Sequence, residues 1–239
     1  MEKFSSFAQT SRGANHIKKD IVCQDASMAI NNDDFIFAAV ADGHGSPHYL
    51  RTERGSRFAV ECAFDCVSEF MESIRDAEEV LDDPKQRDAI LDQLWRSIVS
   101  RWHNRTEADY EQEPFTPEEL DKIPDNLAFY RENYMNGEYI SAYGTTLAFI
   151  AATDDFAFCG QIGDGKCVTV DCSGIASDPV PDDPRCFDNI TTSLCQDDAV
   201  LSARFVYFPK DFIPPAIFVG TDGVQNSYWA IEQLHGFYR

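Results

Sequence analysis

Positive charge is scarce in this chain. Its 239 residues carry 20 Lys plus Arg against 41 Asp plus Glu, a formal net charge of −21. A surface so poor in cations argues against a duplex nucleic-acid binder and against a protein held on an anionic membrane, because both need a basic face. No run approaches the roughly 18 apolar residues of a membrane span. The opening Met1-Glu2-Lys3-Phe4-Ser5-Ser6 lacks a basic stretch leading into an apolar one, so no secretory signal is expected. No Cys-x-x-Cys pair occurs among Cys23, Cys62, Cys66, Cys159, Cys167, Cys172, Cys186 and Cys195. A chain of this length needs no disulfide framework, so reduced, mostly buried thiols and a cytoplasmic location are expected. Internal repeats and low-complexity tracts are also missing. What is present is core material: 44% hydrophobic and 13% aromatic residues, too much for a disordered chain. The whole of 1–239 reads as one domain.

The first strong strand signal is the continuous apolar run Phe35–Ala41, stopped by Asp42-Gly43. A long helix is expected from Gly55 to Ile74. There Phe58, Cys62, Cys66, Phe70 and Ile74 recur every four residues and form one apolar stripe. A second helix is expected over Gln86–Thr106, with Leu91, Leu94, Trp95, Ile98 and Trp102 on its buried face. Residues 107–141 are acidic, contain Pro114, Pro117 and Pro124, and read as a loop with short helical pieces, a candidate lid. Strands follow at Thr145–Ala152, Phe156–Gln161, Lys166–Val170, Arg204–Phe208 and Ala216–Gly220. The turn at Thr153-Asp154-Asp155 is short enough for an antiparallel hairpin. Residues 173–203 read as loop, and Ser227–Arg239 as helix. The order is that of an α+β fold with mainly antiparallel sheets and helices set outside them.

Four carboxylate sites share one local pattern, an Asp beside Gly or in a short polar break next to an apolar strand. They are Gln24-Asp25, Asp42-Gly43-His44-Gly45, Gly163-Asp164-Gly165 and Thr221-Asp222-Gly223. Each Asp-Gly taken alone describes a turn. Together they describe hard oxygen donors held at strand ends, with glycine letting backbone and cation approach closely, a donor set for Mg²⁺ or Mn²⁺. His44, bracketed by two glycines, is either a proton donor or a hydrogen-bonded structural histidine in a tight turn.

The stretches Ser11–Asp25 (SRGANHIKKDIVCQD), Ala39–Gly45 (AVADGHG), Gly144–Ala151 (GTTLAFIA), Gln161–Lys166 (QIGDGK) and Val219–Asn226 (VGTDGVQN) resemble, in order, the metal-dependent serine/threonine protein phosphatases of the PP2C (PPM) type in their compact bacterial form. The resemblance implies a four-layer α-β-β-α sandwich with two Mn²⁺ or Mg²⁺ ions at one end, and a third, looser ion. It implies that Asp42 bridges the two metals and contributes to catalysis, that the Gly43 carbonyl and Asp222 bind them, and that Asp25 holds metal-bound water. It implies that Asp164 supports the third ion and that His44 is the general acid. A phosphoprotein substrate and a Ser/Thr kinase acting on the same targets, as in bacterial signalling, are the implied partners.

Three departures accompany the resemblance. The family's phosphate-gripping Arg falls on Asp20, leaving Lys19, Lys18 or Arg12 as substitutes. The residue before Asp25 is Gln24, which still hydrogen-bonds water without charge. The family's final Asp-Asp/Asn strand motif is absent after Asp222; Asp188-Asn189-Ile190-Thr191 imitates it but lies too early in the chain. A fold lacking its C-terminal strand would carry an unpaired sheet edge. Three functions follow, a protein phosphatase, a pseudophosphatase that binds phosphoproteins with little turnover, or a different metal phosphohydrolase acting on small phosphate esters.

Overall fold

A computed structural model describes residues 4–74, 78–187 and 190–238. In chain order it begins with helix α1 (Ala14–Lys19), strand β1 (Ala26–Asn31) and strand β2 (Ile36–Ala41). Helices α2 (Thr52–Ile74), α3 (Pro84–Gln112), α4 (Pro117–Leu120) and α5 (Ala128–Met135) come next. Strands β3 (Leu147–Ala152), β4 (Phe156–Ile162), β5 (Lys166–Val170), β6 (Ala176–Ser177), β7 (Arg204–Pro209) and β8 (Ala216–Gly220) follow, then helices α6 (Asp222–Gln225) and α7 (Ile231–Tyr238). One sheet has the order β1-β2-β3-β4-β7 and the other β6-β5-β8, and every pairing is antiparallel.

Alternation along β2 explains the layering. Phe37, Ala39 and Ala41 are fully buried in the core under α2 and α3. Ile36, Ala38 and Val40 point the other way, toward an apolar cleft of about 530 Å³ shared with Ile217 and Val219 of the second sheet. β3 and β4 are buried along their whole length, consistent with their unbroken apolar runs. A smaller core of Ile150, Cys159, Cys167 and Val180 joins the sheets. On the far side α7 packs against β5 and β6. The architecture is α+β with antiparallel sheets, as the sequence predicts. Among the described residues, β8 has β5 as its one strand partner.

The two-residue β6 falls in 173–203, read as loop, and β1 is the longer strand missed by the sequence reading, which starts the sheet at Phe35. Its side chains are half-buried and too mixed to advertise it. The α2 stripe is buried as expected, and the helix starts three residues earlier, at Thr52. α3 begins at Pro84 because Asp83 caps it, its carboxylate accepting from the Lys85 and Gln86 amides, and proline fits the first turn.

The short helical pieces expected in 107–141 are present as α4 and α5, and the correction is to where the preceding helix ends. α3 runs on to Gln112, and the remainder folds into α4, α5 and short turns packed on the body. Ile123 and Tyr143 are fully buried, and Tyr134 donates from its hydroxyl to the His48 carbonyl at 2.7 Å. Arg51, 1% exposed, organises this region. Its guanidinium donates to both Glu119 oxygens at 3.1 and 3.2 Å, to the Glu113 carbonyl and to the Tyr143 hydroxyl, and it lies over the Phe115 ring. Two acids of this segment, Glu119 and Asp109, are therefore partners of one buried cation, a tertiary effect that local composition does not report.

Gly55 is the tightest contact between α2 and this region. A methyl group there would sit 1.8 Å from the Tyr143 carbonyl oxygen, and Trp102 Nε1 donates to the Gly55 carbonyl at 2.9 Å. Gly→Ala inside a helix ordinarily stabilises by up to about 1 kcal/mol. Here Gly55→Ala reverses the sign and costs about 1–3 kcal/mol through overpacking, seen as a lower urea midpoint. A midpoint at or above wild type would contradict this packing.

Candidate functional site

Strand register assembles the acids in pairs. Ala26 faces Ala41 in the β1–β2 ladder, so one step beyond the ladder Asp25 comes opposite Asp42. Lys166 faces Gly220 in the β5–β8 ladder, so two steps beyond it Asp164 comes opposite Asp222. The two sheets bring these pairs together, since the Asp42 carboxyl lies within hydrogen-bond reach of both Asp25 and Asp222.

The Asp42 backbone is locked on both sides. Its N–H donates to Thr146 Oγ1 at 3.0 Å, and its carbonyl accepts from the Thr146 amide and the Thr145 hydroxyl, both at 2.9 Å. The β2–β3 pairing is thus carried past the ladder to Gly43, which bridges to Thr145. Only glycine fits at 43, because a methyl group would lie 2.5 Å from both the Gln24 carbonyl oxygen and Thr52 Oγ1. Asp164 sits in the turn after Gly163, whose φ of +99° is open to glycine and strained for other residues. Asp222 opens α6 and accepts from Asn226 Nδ2 at 2.9 Å.

Proximity shows in the protonation of the acids. Burial, then the charges of Asp25 and Asp222, push Asp42 up to about 10. Burial raises Asp25, with Asp222 adding to the rise, while the Asp42 hydrogen bond and the His16 charge oppose it. Burial and the Asp222 charge raise Asp164. These are the directions expected of carboxylates crowded away from water with no cation between them. Among the described residues no three His, Cys, Asp or Glu side chains are set as a ready-made metal cage. The donor set itself, carboxylates plus the Gly43 carbonyl, is hard oxygen throughout and fits Mg²⁺ or Mn²⁺ better than zinc or copper.

His44 lies on the rim of this cluster. Its ring meets Tyr49 edge-on at 4.7 Å, and its Nε2 is 2.8 Å from Ser193 Oγ. Burial and the neighbouring His48 lower it to about 4, against a smaller opposing pull from Asp222. The candidate phosphate residues lie less centrally. Arg12 donates to the Ile21 carbonyl at 3.2 Å and stands 3.9 Å from the Asp20 carboxylate. Lys18 and Lys19 are exposed on α1. The basic side chain whose charge reaches Asp25 is His16, also on α1. Sequence reasoning passed over His16, Thr145, Thr146 and Ser193. Thr145 and Thr146 sit in the quoted stretch Gly144–Ala151 and could have been flagged, whereas Ser193 lies in a segment without any periodic signal. The look-alike Asp188-Asn189 lies outside the described residues.

The family model described as "Protein phosphatase 2C" matches residues 12–238. No curated protein matches the chain. Among solved structures, a Stage II sporulation E family protein from Thermanaerovibrio acidaminovorans is similar at 14% identity and a TM-score of 0.37, over 66% of this chain and 53% of that one. The chain therefore spans about half the length of that structure. PppA, described as a key regulatory component of T6SS in Pseudomonas aeruginosa, is similar at 17% identity and a TM-score of 0.49, over 89% of this chain and 76% of that one. The S. agalactiae serine/threonine phosphatase is similar at 17% identity and a TM-score of 0.45, over 87% and 76%.

The crowding has a measurable cost in metal-free protein. In EDTA at pH 7.5, Asp42→Asn replaces a carboxyl that burial and its acidic neighbours force to take up a proton on folding with an amide that needs none, and keeps a hydrogen-bonding side chain. It should raise Tm by about 2–4 °C, roughly 1 kcal/mol for a chain of this size. A lower Tm for the variant would mean that the acids do not repel one another in the folded state.

Proposed function

The chain belongs to the protein phosphatase 2C family, and from that premise we propose that it hydrolyses phosphoserine and phosphothreonine esters in proteins. The observation that carries this reading is the meeting of Asp42 with Asp25 and Asp222, and of Asp222 with Asp164, at adjoining strand ends. Asp42, Asp222 and the Gly43 carbonyl would hold two divalent cations, Mn²⁺ or Mg²⁺; Asp25 would orient water, and Asp164 would support a third ion. Bound there, the cations would neutralise the phosphate, lower the pKa of a water molecule and align it for in-line attack. The rest is work for the protein. The rigid strand ends fix the carboxylates, and the Thr145 and Thr146 hydrogen bonds keep Asp42 from moving with its load. His44 would deliver a proton to the departing serine or threonine oxygen, a contribution of about 10²–10⁴ in rate. Arg12 and Lys19 are the candidates for gripping the phosphate from the α1 side.

The partners implied are phosphoproteins, together with a kinase that phosphorylates them. A cytoplasmic setting accords with eight free cysteines and with the fact that, among the described residues, no helix is long and apolar enough to cross a membrane. A second reading is favoured by one observation: the position where the family's phosphate-gripping arginine falls carries an exposed Asp20. On that reading the chain binds phosphoproteins and turns over little.

Hydrolysis of a phosphothreonine peptide with Mn²⁺ separates the two. The phosphatase reading predicts metal-dependent release of phosphate that falls by about 10² or more in Asp42→Ala, because the variant loses a carboxylate that would hold the cations. Equal rates in wild type and variant, or no release from either alongside retained phosphopeptide binding, would overturn it.

A further inference from the structure

The smaller sheet stops short of the larger one. Three strands face five, and β8, the last of the three, lies across β2 and β3. The apolar cleft of about 530 Å³ runs along the edge where the smaller sheet stops. All of β8, Ala216–Gly220, lines it, so both faces of the strand border the space and its free edge forms the floor. One wall is the inner face of β2, with Ile36, Ala38 and Val40. The other is α7, with Phe237 and Tyr238. Phe237 is 60% exposed, and Phe7 on the rim is 81% exposed.

That edge is unpaired. β5 is the one strand beside β8, and among the described residues no hydrogen bond from outside β5 reaches the backbone of 216–220. Alternate amides and carbonyls on the cleft side therefore stand as a row of open donors and acceptors. β7, at the edge of the larger sheet, begins with Arg204 and ends with Pro209, a charge and a proline that blunt pairing. β8 has neither. A lipid chain or another apolar small molecule would fill the walls and leave the row unmet. A strand meets the row and both walls together.

Charge selects among strands. No residue lining the cleft is charged, although 26% of the chain is. The chain enters β2 through Asp33 and Asp34 and enters β8 after Asp211, and it leaves the two strands into Asp42 and Asp222. An apolar centre between acidic ends fits a run of about five apolar residues with Lys or Arg on either side. Both faces of that run must be apolar, since both are covered. A second copy fits poorly: it brings β8 only with its own walls attached, and each copy carries a net charge of −21. Among the described residues, the apolar runs that form strands are already paired in the two sheets.

We propose that the free edge of β8 is a docking site for a partner protein, which adds an extended, basic-flanked apolar segment as a fourth strand of the smaller sheet. Alternate side chains of that strand pack on Ile36, Ala38 and Val40 and on Phe237 and Tyr238. The site does not depend on whether the chain hydrolyses phosphate esters.

The full chain tests it with a dye-labelled synthetic peptide, Lys-Lys-Val-Ile-Val-Ile-Val-Lys-Lys capped at both ends, followed by fluorescence anisotropy and by amide hydrogen exchange. The peptide should bind one to one, and exchange across 216–220 should slow by about tenfold or more while 204–209 is unchanged. N-methylation of its five central amides keeps the apolar content and should weaken binding at least about tenfold. Replacing its four lysines with glutamate should weaken binding about tenfold at low salt, with a smaller loss at high salt. No binding, equal binding of either altered peptide, or protection at β7 in place of β8 would overturn the proposal. So would a chain that sediments as a dimer with 216–220 already protected, because the edge would then belong to a second copy.

Discussion

Four carboxylates that ought to repel one another are held together by two strand registers, and the rest of the site depends on that constraint. The β1–β2 ladder delivers Asp25 beside Asp42, the β5–β8 ladder delivers Asp164 beside Asp222, and the packing of one sheet on the other joins the pairs. Neither register can slip by one residue without turning every buried side chain of its strand to the wrong face. The apolar alternation of β2 thus fixes the position of Asp42 as firmly as any contact the carboxylate makes itself. Crowded acids in a half-buried cleft are unstable alone, and divalent cations are the physical remedy that suits oxygen donors.

Elsewhere the same chain shows how buried charge looks when it is compensated from within. Arg51 is as deeply buried as a core residue, yet Glu119, the Glu113 carbonyl and Tyr143 meet its guanidinium, and Asp109 lies 3.7 Å away. Asp109 in turn accepts from Arg54 at 3.1 Å and from Tyr143 at 2.7 Å. Among the described residues, no equivalent cation is hydrogen-bonded to Asp42. That contrast separates a charge placed to hold a fold from a charge kept available for a ligand.

Much of this was legible before any coordinates. The apolar runs of β2, β3 and β8 and the α2 stripe are local signals, and the four Asp motifs lie at strand ends or in the turns between strands, where the runs stop. The less visible parts are tertiary. β1 is half-buried and compositionally plain. Asp109 and Glu119 look solvated until Arg51 is seen beside them. Ser193 and Thr192 act from a segment with no periodicity, through single hydroxyls aimed at backbone and at His44. His16 reaches Asp25 from a short helix that resemblance would search for lysine or arginine. Register arithmetic explains why motif order was informative: once both ladders are known, the pairing of distant acids follows without reference to their side chains.

The claim that these acids form one cation site is tested most directly by titrating metal-free protein with Mn²⁺ while following Tm and heat of binding. At free Mn²⁺ near 100 times Kd the folded state should gain about 2.7 kcal/mol, a rise of roughly 5–10 °C. The account predicts that Asp222→Asn loses that rise, while Asp33→Asn and Asp154→Asn, at the acidic turns on the opposite end of the sheet, keep it. An equal rise in Asp222→Asn and wild type would contradict it.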